Sequence, residues 1–263
     1  MSREKSVKSI SIVIPCFNDA VLLGRALASL TQQSVPADEV LVVDNNSTDE
    51  SAEVARSFPG VRVITEPRQG ITHATRAGFD AATGDLIFRT DADVVAPPDF
   101  LARLLDAWDA AEQSETAGGR RVVAVTGSAE FEIDGLRGRL ATAAYLGAYR
   151  ASVGSALGHH PFYGTNLSVR SEWWRGIRTR VDLGDPRVHD DMHLSFQVGP
   201  DETVWFQPDL VVRMDPRALH GTRQLLRRFS RGMHTMAVNF QTQSPPRRLA
   251  ERGVIHLPKR GPR

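Results

Sequence analysis

Asp91-Ala92-Asp93 places two carboxylates two positions apart, just after a run, Asp85-Leu-Ile-Phe-Arg-Thr90, that reads as a strand. Carboxylates at i and i+2 in such a turn suit a hard divalent cation, Mn2+ or Mg2+, that also holds a diphosphate. In an open α/β sheet, the carboxyl end of a strand is where ligands bind. The plain alternative is a solvated loop, the usual setting for exposed aspartates. Position in the rest of the chain decides between the two.

The elements around this turn alternate. Ser9 to Ile14 is an apolar, β-branched run stopped by Pro15, a strand of the kind buried on both faces. Asn18 and Asp19 can cap a helix over Ala20 to Gln32, with Leu22, Leu23, Ala26, Leu27 and Leu30 on one face. Val40 to Val43 is the next strand, and the capping box Ser47-Thr-Asp-Glu50 opens a helix to about Ser57. A strand over Val61 to Ile64, a helix over Ile71 to Ala82 and a strand over Leu86 to Phe88 follow. Pro97-Pro98 starts a helix over Asp99 to Ala111, Ser114 to Arg120 reads as a loop, and Arg121 to Thr126 returns to strand. Strands and helices joined by short links predict an α/β fold with right-handed crossovers and a mostly parallel sheet. Beyond these, Leu136 to Ala156 has helical content, and Gln224 to Phe240 reads as a basic amphipathic helix. From Ser244 the chain is rich in Pro, Gly and Arg and predicts a disordered tail.

In this layout the polar loops after strands one, two and four, at Pro15-Cys-Phe-Asn18, Asp44 to Asp49 and Asp91 to Asp93, gather on one sheet edge. That edge can take a nucleotide, with Asp44 accepting from a base N–H and a metal at Asp93 meeting the phosphates; alternatively Asp44 is a turn residue. No Gly-x-Gly-x-x-Gly and no Gly-rich loop with a Walker lysine follows the first strand, which argues against a dinucleotide or P-loop site.

At 263 residues the chain fits one large domain, and its single cysteine, Cys16, excludes an internal disulfide and fits a reducing, cytoplasmic setting. No apolar run approaches membrane-spanning length, and the basic start is too short in its apolar part for a signal peptide. The net charge of +1 hides an asymmetry. Residues 217 to 263 hold eleven Lys or Arg and one acid, Glu251, a balance of +10 that leaves −9 for the rest. A basic segment on an acidic body fits an anionic partner, or simply a solvated tail.

The motifs Ile12-Val-Ile-Pro-Cys-Phe-Asn18, Val42-Val-Asp-Asn-Asn-Ser-Thr-Asp49, Gly84-Asp85 and Asp91-Ala-Asp93 resemble, in order, those of family 2 glycosyltransferases with the GT-A fold. Gly164-Thr-Asn-Leu-Ser-Val-Arg170 resembles the family's Gly-x-Asn segment, and His189-Asp-Asp-Met-His-Leu194 its Glu-Asp motif. The resemblance runs from about Ser9 to Gly232. It implies inverting transfer of a sugar from a nucleotide diphosphate, with Asp191 as general base and Asp190 beside it. It also implies Asp93 as metal ligand with Asp91 at the ribose or a metal-bound water, Asp44 reading the base, and Pro15 and Asn18 lining the pocket. The pair here is Asp-Asp where relatives have Glu-Asp, which leaves open which carboxylate acts. Arg68 and Arg76 are candidates for a phosphate, as are Arg228 and Arg231 if the basic helix closes over the diphosphate. His220 is the first candidate for an additional metal ligand. Phe162, Tyr163, Trp173 and Trp174 either stack on an acceptor sugar or pack the core.

These readings divide the chain into a flexible start at 1–8, a catalytic domain at 9–216, a basic helix at 217–243 and a disordered tail at 244–263. The catalytic domain splits into a nucleotide and metal half, 9–126, and an acceptor half, 127–216. The donor is a nucleotide sugar, with a UDP-sugar as the family default. The acceptor is unknown, with a lipid-linked or cell-envelope glycan and contact with a membrane surface among the options, and no nucleic acid. Two other classes stay open: a nucleotidyltransferase, and a non-enzymatic module that binds nucleic acid or membrane through its basic tail.

Overall fold

The computed structural model describes residues 8–133, 135–219 and 222–256. The first hundred residues alternate as the sequence predicts. They form β1 (Ile10–Cys16), α1 (Ala20–Leu30), β2 (Glu39–Asp44), α2 (Ser51–Ser57), β3 (Val61–Thr65), α3 (Ile71–Ala81), β4 (Leu86–Arg89) and a two-residue β5 (Val94–Val95). Next come α4 (Phe100–Thr116), a long β6 (Arg121–Phe131), α5 (Gly135–Tyr149) and α6 (Ser155–Leu157), the last two joined by a π-helical stretch at Arg150–Gly154. The chain then runs through β7 (Leu167–Arg170), α7 (Ser171–Ile177), α8 (Asp190–Ser195), β8 (Glu202–Met214), α9 (Thr222–Thr242) and α10 (Pro245–Glu251).

One sheet orders its strands β3-β2-β1-β4-β7-β6-β8-β5. β2 and β4 flank β1 in parallel, β3 runs parallel to β2, and β8 parallel to β6; β7 is antiparallel to both β4 and β6. Side chains alternate across a strand, so β1 sends Ile10, Ile12 and Ile14 into a core with Leu23, Leu27, Phe100 and Trp108. Val13 goes to the other face, with Phe79, Trp173 and Trp174. Both faces are covered, which is why β1 reads as an unbroken apolar run. Phe162, Trp173 and Trp174 are core residues, in edge-on ring contact with one another or with Phe79.

Several boundaries differ from the sequence reading. Helix α2 starts at Ser51 and not at Ser47, because Ser47 and Thr48 are used elsewhere: Ser47 Oγ accepts the Asn18 N–H, and the Thr48 N–H donates to Asn18 Oδ1. Helix α4 runs past its expected end at Ala111 into the start of the expected loop, to Thr116. Strands β5, β7 and β8 are not among the elements expected from the sequence, although Leu167-Ser-Val-Arg170 of β7 does alternate apolar and polar residues.

The tail expected to be disordered from Ser244 is instead folded as far as it is described. Pro245 and Pro246 occupy the first helical positions of α10, where their missing N–H groups leave no bond unmade. Arg248 is buried and donates to the carbonyls of Leu157, Phe196 and Val198 at 3.0, 3.0 and 2.9 Å. Arg252 donates likewise to the Gly199 and Glu202 carbonyls, at 2.5 and 2.7 Å. Arginine here serves as a donor to carbonyls, which composition alone cannot distinguish from a solvated basic tail. Residues 1–7, most of the expected flexible start, and 257–263 lie outside the described residues.

Candidate active site

Three loops meet at one edge of the sheet, as the register requires: Cys16 pairs with Asp44 across β1 and β2, so their carboxyl ends coincide. Asn18, in a left-handed backbone conformation at φ 51°, ties the first loop to the second through Ser47 and Thr48. Asp44 is buried and accepts the Ser47 N–H at 3.1 Å through Oδ1. Pro15 lies in β1 opposite Val43. The third loop hangs from Asn45: its amide donates to the Glu66 and Arg68 carbonyls at 2.9 and 2.7 Å, and its Oδ1 accepts the Gly70 N–H at 2.7 Å.

The Asp91-Ala92-Asp93 turn sits where β4 ends. Asp91 pairs with Arg89 at 2.8 Å, and Arg89 also reaches Asp190 at 3.3 Å. Asp93 accepts from Arg217 Nε at 2.9 Å, while the other arms of Arg217 clasp Asp19. Burial, then the Asp91 charge beside it, raises the Asp93 pKa to about 6, against the opposing pull of Arg217. A dry site that crowds carboxylates until one resists ionising is one that a cation relieves. The residues therefore fit a hard divalent ion, with Arg217 supplying the positive charge in this structure. Among the described residues no cluster of three or more His, Cys, Asp or Glu side chains forms. His220 lies outside the described residues. His189, His193 and His234 are engaged elsewhere, with the Arg228 carbonyl, Asn239 and Asp185.

The second acidic pair opens α8, and its two members face different ways. Asp190 is 4 % exposed, accepts the Thr75 hydroxyl at 2.6 Å and pairs with Arg89. Burial alone would raise its pKa, but Arg89 and Thr75 outweigh it and hold the carboxyl below the usual range. Asp191 is half-buried; Oδ2 accepts the Gly164 N–H at 2.9 Å and Oδ1 the Met192 N–H at 2.7 Å. Burial and then the adjacent Asp190 charge push its pKa up. Gly164 must be glycine: a Cβ there would fall 2.3 Å from Arg89 Nη1. Asn166 of the same segment is buried and structural, its amide bonding the Ser128 and Leu210 carbonyls at 2.8 Å each.

The structure thus brings together Asp91, Asp93, Asp190 and Asp191, with the Asp44 and Asn18 loops on the same edge. It does not bring all the basic candidates to them. Arg68 is exposed and bonded to Glu66, and Arg76 lies on the α3 flank with Asp80 and the Arg178 carbonyl. Arg228 reaches the Tyr145 hydroxyl at 3.2 Å, and Arg231 donates to the carbonyls of Pro186, Arg187 and Val188. The sequence reading missed Arg89, Thr75, Asn45 and Arg217. Arg89 did carry a signal, a charge inside the buried strand Leu86-Ile-Phe-Arg89, which needs a buried counter-charge.

Residues 11–138 match the sequence profile described as Glycosyl transferase family 2. That segment belongs to glycosyl transferase family 2. Over 115 residues the chain is 36% identical to an undecaprenyl-phosphate 4-deoxy-4-formamido-L-arabinose transferase of Serratia proteamaculans, covering 40% of this chain and 35% of that one. Over 117 residues it is 38% identical to an uncharacterized glycosyltransferase of Mycobacterium tuberculosis, covering 44% of this chain and 50% of the other. The chain therefore spans between about a third and a half of the length of these curated relatives. The fold resembles a mannosyltransferase of Pyrobaculum calidifontis solved with GDP-Man and Mn2+, at TM-score 0.57, 20% identity, and 95% and 74% coverage of the two chains. It also resembles glucosyl-3-phosphoglycerate synthase of Mycobacterium tuberculosis solved with Mn2+ and UDP, at TM-score 0.58, 17% identity, and 97% and 88% coverage. These likenesses show the GT-A fold, which extends past the profile-matched segment into the half that holds Asp190 and Asp191.

Proposed function

We propose that this protein is a metal-dependent glycosyltransferase that moves one sugar from a nucleotide diphosphate sugar, a UDP-sugar as first choice, to an acceptor hydroxyl with inversion. The observation that carries the reading is that the strand-end turn of Asp91 and Asp93 and the helix start of Asp190 and Asp191 are linked through one buried arginine, Arg89.

Residues 9–126 hold the donor in this reading. Asp44 takes a base N–H on its second oxygen, Pro15 and Asn18 line the pocket, and Asp91 meets the ribose or a metal-bound water. A divalent ion, Mn2+ or Mg2+, held by Asp93, would neutralise charge on the leaving diphosphate. Residues 127–216 present the acceptor. Asp191 removes the hydroxyl proton as that oxygen bonds to the anomeric carbon, and the bond from that carbon to the diphosphate breaks. Two backbone N–H groups fix the Asp191 carboxylate, and its raised pKa makes it a stronger base than an ordinary aspartate. Asp190 is the positioning member of the pair. Arg68 and Arg76 remain phosphate candidates only through a change of partner. Arg228 and Arg231 support the helix beside the site, and closure of that helix over the diphosphate would require them to leave the groups they bond. The undecaprenyl-phosphate in the name of the Serratia relative favours an acceptor on a lipid carrier. A single buried cysteine fits a cytoplasmic protein.

Calorimetric titration of UDP, GDP and dTDP, each with and without Mn2+, into wild type and Asp93→Ala tests the donor half. One nucleotide is expected to bind only with Mn2+ and to lose binding in the variant; no binding of any nucleotide to the folded protein would sink the reading. Asp191→Asn is expected to keep that binding and to lose turnover by about a hundred- to ten-thousand-fold.

A further inference from the structure

Helix α9 carries one apolar stripe, only half of which is covered. At 100° per residue Leu226, Phe229, Met233, Met236 and Phe240 fall within an arc of about 80°. The far end of the stripe is packed: Met236 and Phe240 lie against Val153, Leu157, Met192 and Phe196, with the Phe196 and Phe240 rings 5.9 Å apart. The near end is bare, with Leu226, Phe229 and Met233 at 69%, 71% and 49% exposure. The Arg228 guanidinium reaches across to the Tyr145 hydroxyl of α5. α5 repeats the pattern: Tyr145 and Leu146 turn inward while Leu136 and Leu140 are exposed. Five of the nine large apolar side chains exposed among the described residues thus sit on these two helices. Scattered single exposed apolar residues are ordinary; a cluster continuous with a core stripe marks an interaction surface.

Charge selects the partner. α9 has four arginines (Arg223, Arg227, Arg228 and Arg231) and α5 has two (Arg137 and Arg139), and neither has an acidic residue. Self-association through this face would set arginine against arginine. Nucleic acid would use the arginines and leave the apolar side chains in water. A surface that is anionic outside and apolar beneath satisfies both. We propose that the N-terminal α9 face docks on an anionic lipid bilayer, with Leu226, Phe229 and Met233 buried among the lipids and the exposed Arg227 at headgroup level. The Arg228 carbonyl accepts from His189 Nε2, one residue before Asp190, so docking sets the acid pair beside the bilayer surface. The docking does not depend on the transfer reaction and is measured without it.

The test is cosedimentation of the full chain with phosphatidylcholine vesicles, with and without phosphatidylglycerol. Binding to the anionic vesicles alone is expected, weakening as salt is raised. Leu226→Ser with Phe229→Ser is expected to lose at least tenfold in binding, since each removes apolar area from the lipid, and Arg227→Gln several-fold. Val21→Ser on α1, where the side chain is 81% exposed, is the control that retains it. All replaced side chains are exposed, and thermal melts check that the variants stay folded. Absence of wild-type binding, equal binding in the double variant, or a concentration-dependent dimer abolished by the same changes would each overturn the proposal.

Discussion

Arg89 and Arg217 each hold one carboxylate of the Asp91-Ala92-Asp93 turn, and they do so under opposite conditions. Arg89 ends a central strand, is 4 % exposed, and spans Asp91 and Asp190. Arg217 stands in a single 3-10 turn after β8, with 43% of its side chain exposed, and spans Asp93 and Asp19. The first is locked by the sheet on both sides, so its ion pairs are part of the fold. The second can leave into water at little loss. In the proposed cation site Arg89 would be the permanent counter-charge that positions Asp91, and Arg217 the temporary one that a metal at Asp93 would replace.

The largest effect should follow removal of the permanent member. Arg89→Met leaves Asp190 buried without its partner, and urea unfolding should show a loss of about 3–5 kcal/mol. Removing both charges, Arg89→Met with Asp190→Asn, should recover part of that loss; a double variant as unstable as the sum of the two singles would show that Arg89 acts through packing instead. The next effect concerns pH. In the proposed site Asp93 would ligate only when ionised, and its pKa is raised to about 6, so protons would compete as pH falls through that value. Mn2+-dependent nucleotide affinity should be flat above about pH 6 and drop by about tenfold per unit below it. A drop centred near the ordinary aspartate value would show that Asp93 is not the ligand.

The smallest change is expected at the temporary member. Arg217→Gln should alter stability by less than about 1 kcal/mol, as half-exposed ion pairs do, and should tighten Mn2+-nucleotide binding by up to about fivefold. It should also move the pH midpoint upward, because Arg217 lowers the Asp93 pKa. Weaker binding in Arg217→Gln would mean that the guanidinium contacts the bound donor and is no mere stand-in.

The contrast also marks what can be read from sequence. Loops following strands one, two and four announce themselves by local pattern, and the site edge assembled from them is the edge observed. The divergence of Asp190 and Asp191 is what a helix start implies, with neighbouring positions about 100° apart, but that Asp190 goes to Thr75 and Arg89 is seen only in the fold. The pairing of Arg217 with Asp19 joins residues 198 apart in the chain, and no local period encodes it. Arginines on α9 looked like phosphate ligands by charge, yet Arg231 spends its donors on the carbonyls of residues 186–188. Composition reports charge and cannot report which donors a fold consumes.

Arg248 shows the same economy at the other end of the chain. Its guanidinium bonds the carbonyls of Phe196 and Val198, just past the end of α8. That helix is six residues long and begins with Asp190 and Asp191. The C-terminal segment is therefore riveted to the back of the acid pair, one and a half turns behind the reacting edge. A protease cut or a truncation after Gln243 would take Arg248 from the end of α8 and Arg252 from the Glu202 carbonyl at the start of β8, so that the helix of the acid pair and the sheet would each lose a support.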